Sequence, residues 1–140
     1  PFNIAALLRQ GFDHLKDSVF QDLGSEMGLL KALSLVLRLS PLGLLFGGVP
    51  CESFGFMASP THQRSALHPW GAPFPFVYLG NVLCTRFCLL ALIAIIRGCV
   101  WALENPLRTC IDTMPPIQLL LHRQLRPLLV KWFFTQIWQT

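Results

Sequence analysis

Apolar positions run along this chain in short blocks, each cut by proline, glycine or arginine. Residues 2–10 form an apolar stretch that predicts a short helix ending at Gly11. Residues 11–23 are polar and carry Asp13, Asp17 and Asp22. Ser25 has the chemistry of an N-cap, and Glu26 follows in the first turn, where an acid suits the helix dipole. The pattern predicts a helix over 26–39 with Lys31, Ser34 and Arg38 on a narrow polar stripe, so most of its surface is expected to be buried. Ser40-Pro41 ends it, and residues 42–46 predict a buried strand entering Gly47-Gly48. Residues 49–76 predict a loop rich in proline, holding His62, Arg64 and His68. Asn81 is then expected to cap a second helix over 82–97, with Gly98 just past its end. A second buried strand is predicted over 99–103, and a further helix over 117–125 follows Pro115-Pro116. The chain closes on Trp132, Phe133, Phe134 and Trp138.

Helix, strand, loop, helix, strand, loop and helix in this order imply an α/β fold with a parallel sheet and covering helices. Strands buried on both faces read as continuous apolar runs, as these two do. Ligands of such sheets bind beyond the carboxyl ends of the strands. Val49-Pro50-Cys51-Glu52 follows the first predicted strand and Glu104-Asn105-Pro106 the second, so the two turns are expected to meet at one site.

Composition narrows the classes. Of 140 residues, 53% are hydrophobic and 13% charged, which excludes a disordered tail, a coiled coil and a collagen-like fibre. A single domain over residues 1–140 is expected, trimmed from a longer chain because it begins at Pro1. The net charge of +4 is uneven: residues 53–140 hold seven bases and two acids, a balance that would suit a polyanion or an anionic membrane surface. Dispersed surface bases are the plainer reading. Five cysteines without paired Cys-x-x-Cys spacing predict reduced thiols, an intracellular setting and no metal site. No secretory signal is predicted.

The alternative is a mostly α-helical, membrane-embedded subunit of a larger respiratory or photosynthetic assembly in an organellar membrane. Its best candidate span, residues 76–96, would place Arg86 inside the bilayer. Without that span the most apolar run is residues 87–96, too short to cross. One long helix through 76–96 would favour this alternative. A loop through 65–80 followed by a short buried helix would count against it.

Cys51, after a strand and near a helical start, has the placement of a nucleophile, and Glu104 that of an acid able to protonate or orient a bound ring. Each also has a plain reading, Cys51 as a small buried residue and Glu104 as a solvated strand-end acid. Cys84 and Cys88 sit four apart and are read as core packing. His62 and His68 are read as loop residues in solvent, with a phosphate contact as the alternative.

At these residues the chain resembles the cytosine-5 DNA methyltransferase family, whose domain is an S-adenosylmethionine-dependent Rossmann fold. Leu-Leu-Phe-Gly-Gly-Val-Pro-Cys-Glu-Ser-Phe over 44–54 is similar to the family's nucleophile motif, Gly-Gly-Pro-Pro-Cys-Gln-x-Phe-Ser after a strand. Trp-Ala-Leu-Glu-Asn-Pro over 101–106 is similar to its Glu-Asn-Val motif, and residues 81–97 match the helix before that strand. The resemblance covers roughly residues 11–110. It implies that Cys51 attacks carbon 6 of cytosine, that Glu104 holds and protonates the ring nitrogen, and that the target base is flipped out of its stack. It implies S-adenosylmethionine as methyl donor, with Asp22 a weak candidate contact to its adenosine. It also implies nucleic acid as partner, with Arg64 a weak candidate for a backbone contact.

Several positions depart from the family. Val49 stands where it has proline, Glu52 where it has glutamine, and Pro106 where it has valine. The Phe-x-Gly-x-Gly turn that binds the methionine part of the cofactor is expected before Pro1. The 140 residues are therefore read as a partial methyltransferase-like domain, inactive by itself and in need of other protein subunits.

Overall fold

A computed structural model describes residues 22–106 and 108–122 of the chain. The expected helix over 2–10, the polar residues up to 21 and the aromatic end lie outside the described residues.

Helix α1 spans Glu26–Leu37. Ser25 is extended (φ −84°, ψ 158°) and its Oγ accepts from the Gly28 amide at 2.9 Å, so the expected cap forms. Gly28, Ala32 and Val36 are buried, and their spacing of four puts them on one stripe. That stripe packs with Leu90, Ala94 and Cys99. Leu42, at φ 66°, turns the chain into strand β1, Leu44–Gly48. The turn is tied to the later strand in advance, because the Leu42 amide donates to Gly98 at 3.0 Å and the Val100 amide to Gly43 at 2.8 Å.

Strand β2 spans Val100–Glu104 and pairs with β1 in parallel, in the register Leu44↔Val100 through Gly48↔Glu104. Both strands begin slightly later than the sequence predicts, and the α/β organisation with a parallel pair is as expected. Helix α3, Pro75–Ile96, connects them and lies on one face of the pair. Phe87 of α3 fits over Gly47, where any Cβ would collide with the ring. It also meets Trp101 edge-on at 6.1 Å. Helix α4, Pro115–His122, covers another side of α3 with Ile117 and Leu120. α3 buries nine residues along one face, against α1, the sheet and α4, and its open face carries apolar residues too (Leu79, Leu89 and Ile96), which is why its sequence shows no clear amphipathic stripe.

The largest departure from expectation is the start of α3. The sequence predicts a loop to residue 76 and a helix from 82 with Asn81 as its cap, whereas the helix begins at Pro75. Proline at the first helical position costs no hydrogen bond, and extended Phe74 leads into it. The segment before it is not plain loop either. It contains 3₁₀ turns at Cys51–Ser53 and Phe56–Ala58 and a helical turn, α2, at Ser59–His62.

Candidate functional site

The two strand ends meet, as their order in the sequence implies. Glu104 is the register partner of Gly48, three residues before Cys51. A Cβ at Gly48 would lie 3.7 Å from Glu104 Oε2, so the carboxylate reaches over the glycine. Asn105 ties the second turn to the first by donating from Nδ2 to the Val49 carbonyl at 3.2 Å. Its Oδ1 is buried and has no donor among the described residues. A buried acceptor in that state costs about 1–3 kcal/mol, and such a group calls for an explanation.

Cys51 opens its 3₁₀ turn immediately after Pro50, and its carbonyl accepts from the Phe54 and Gly55 amides at 3.0 and 2.7 Å. Cys51 and Glu52 are exposed, while Ser53 and Phe54 are buried. The turn therefore presents its thiol to solvent from a backbone anchored two residues further on, at Ser53.

Arg64 supplies that anchor. It is 5% exposed, and its fork works inside the chain. Nε donates to the Ser53 carbonyl (2.6 Å), Nη1 to Pro69 O and Asn81 Oδ1 (both 2.7 Å), and Nη2 to Val77 O (3.1 Å). The guanidinium also lies 4.2 Å over the Phe54 ring. None of these partners is a carboxylate. Burial pulls the Arg64 pKa below its usual value, partly offset by the neighbouring Cys110 and Cys84 thiols. The backbone contact to nucleic acid that the resemblance implies for Arg64 has no support in this geometry: its donors are already taken. Asn81, expected as a helix cap, accepts from Arg64 and donates to the Trp70 carbonyl at 3.0 Å.

His62 is 1% exposed, contrary to the solvated loop expected around it. Its Nε2 donates to the Gly55 carbonyl at 3.1 Å and its Nδ1 accepts from the Arg64 amide at 2.9 Å. His68 is exposed, as expected. Sequence reasoning missed Ser53, His62 and Asn81 as parts of this support.

Cys84 and Cys88 are buried in α3. The Cys88 thiol is pushed up, first by its hydrogen bond with Cys84 and then by burial, so it stays protonated. Burial also raises Cys110, against the pull of Arg64. Among the described residues no group of three or more His, Cys, Asp or Glu side chains could hold a metal ion.

Asp22 is half-buried in the turn before α1, where its Oδ1 accepts from the Gly24 amide at 2.7 Å. That carboxylate completes a local turn, and no glycine-rich cradle lies beside it among the described residues. That turn gives no geometric support to the adenosine contact that the resemblance implies for Asp22.

Fold and site together define a small α/β chain whose two parallel strands end in an exposed cysteine and an acid. No protein-family model, curated protein or solved structure matches it.

Proposed function

We propose that the strand-end site binds a pyrimidine ring of a nucleic acid and adds Cys51 to it, and that the chain is part of a Rossmann-like, methyltransferase-like domain. The observation that carries this reading is the register that sets Glu104 against Gly48, three residues before an exposed Cys51. The cysteine sulfur, as thiolate, bonds to carbon 6 of cytosine. The ring electrons shift through carbons 5 and 4 to nitrogen 3, which takes the proton of the Glu104 carboxylic acid. The product is an enamine with a nucleophilic carbon 5. The orphaned Asn105 Oδ1 supports the reading as an acceptor for the amino group of a bound ring, once a small shift uncovers it.

Incubating the chain with a single-stranded oligonucleotide that carries 2-pyrimidinone tests this, because the base traps thiol adducts without a methyl donor. Mass spectrometry should find one adduct, at Cys51. Cys51→Ser should form none, and Glu104→Gln should slow its formation about 100-fold. Absence of the adduct, or its persistence in Cys51→Ser, overturns the reading.

One observation favours the membrane-assembly alternative. Pro75–Ile96 is a continuous helix of 22 residues, long and apolar enough to cross a membrane by length and composition. Tyr78, Leu89 and Ile96 on it are exposed. Against this, Arg86 at its middle donates to the Leu23 and Ser25 carbonyls (2.8 and 2.7 Å), which suits a helix enclosed by its own chain. A monodisperse monomer in detergent-free gel filtration would favour the first reading, and recovery only in detergent the second.

A further inference from the structure

The two loops that leave the strands also join each other beyond the site. Gly55 and Thr109 form an isolated antiparallel bridge. The Phe54 carbonyl accepts from the Cys110 amide at 2.9 Å, from Cys110 Sγ at 3.1 Å and from Thr109 Oγ1 at 3.3 Å. An open cleft of about 450 Å³ runs along this seam, with Phe54 and Arg64 in its floor and Phe56, Ser59, Arg108 and Thr109 among its lining residues. Among the described residues, two arginines and no carboxylate line it.

The roles of the two arginines differ. Arg64 is committed to the fold, but its charge faces no acid among its partners. Arg108 is exposed and makes no hydrogen bond to a described residue, although its backbone holds the left-handed conformation at φ 64°. A non-glycine residue in that region is uncommon, and such strain concentrates at functional sites. Phe56, 66% exposed, and Ser59 line the same cleft. A guanidinium with no partner among the described residues, an exposed aromatic residue and a hydroxyl suit an anion that carries a flat ring.

We propose that this cleft holds the nucleotide adjacent to the pyrimidine at Cys51 in a single-stranded nucleic acid, with Arg108 on its phosphate and Phe56 stacked on its base. The inference rests on the reading of the strand-end site given above. The geometry connects the two places. The Gly55 amide donates to the Cys51 carbonyl, so the cleft begins where the nucleophile turn ends, and Arg108 stands four residues past Glu104. The aromatic face argues for a base over an acidic peptide, which would use the arginine alone.

Fluorescence anisotropy of a labelled 12-nucleotide single strand on the full chain, at several salt concentrations, tests the cleft. Arg108→Ala should weaken binding at least tenfold and reduce the salt slope by about one unit. Phe56→Ala should weaken it by about tenfold and leave the salt slope unchanged. Both residues are exposed, and unchanged melting temperatures will show that the variants fold. Binding that ignores both substitutions, no binding by the parent chain, or equal competition by polyglutamate overturns the proposal. The two readings separate cleanly. Binding that depends on Arg108 without adduct formation leaves the cleft standing and removes the covalent chemistry, whereas adduct formation without dependence on Arg108 or Phe56 does the reverse.

Discussion

Arg64 Nε donates to the Ser53 carbonyl at 2.6 Å, two residues beyond Cys51. Through this bond and those to Pro69, Val77 and Asn81, one buried side chain fastens the nucleophile turn to the loop behind it and to the first turns of α3.

Replacing Arg64 with Met should therefore leave several buried carbonyls unpaired and cost about 3 kcal/mol or more in urea unfolding. Arg64→Lys keeps the charge but lacks the planar fork, so it should recover only part of that loss. A change below about 0.5 kcal/mol in either variant would show that the turn is held by something else.

Gly80 faces the same turn from α3, and a Cβ there would collide with Ser53 Oγ. Alanine for glycine inside a helix ordinarily stabilises by about 1 kcal/mol. At this position the sign should reverse, with a loss of about 1–3 kcal/mol. The double variant Gly80→Ala, Ser53→Gly should recover most of that loss in a denaturation series.

The Cys88 thiol, raised above its ordinary value of 9.0, gives stability a defined pH dependence. In the unfolded chain it ionises near that ordinary value, while in the fold it stays protonated. Its contribution is complete at lower pH and falls as pH rises past 9.0, by about 1.4 kcal/mol per unit. Urea midpoints measured between pH 8 and pH 10.5 should show this decline, and Cys88→Ala should make it shallower, with the raised Cys110 thiol supplying part of what remains.

Thiol labelling should separate the cysteines by position. Cys51 is exposed, whereas Cys84, Cys88 and Cys99 are buried. In native buffer a short exposure to iodoacetamide should mark Cys51 first, with the buried three modified only in denaturant. Early labelling of Cys88 would mean that α3 opens without global unfolding.

Much of the architecture was legible because it depends on local chemistry. Ser25 caps α1 as its hydroxyl implies, and the apolar blocks before Cys51 and Glu104 are paired parallel strands that bring both residues to the same end. What escaped the sequence was tertiary. Pro75 read as part of a loop, yet proline at the first turn needs no donor, and inside the helix the glycine at 80 admits Ser53. Arg64 read as a surface base, because no pattern within the loop shows that acceptors from positions 53, 69, 77 and 81 converge on it. The membrane alternative expected one long helix through 76–96, and that helix is present. Its burial against α1, the sheet and α4 arises from residues far away in the sequence.

The parallel pairing of Leu44 with Val100 has a consequence in time. Closing a loop of that length costs roughly 3–4 kcal/mol of chain entropy before any strand hydrogen bond forms. An antiparallel hairpin would avoid most of that cost. Helix α3 forms from local bonds and replaces much of the slack with a rod about 33 Å long. Topology therefore leads us to expect the helix early and the sheet late. On that expectation Glu104 meets the turn before Cys51 only in the final stage of folding, so a chain paused on its way there should have its helix but no site.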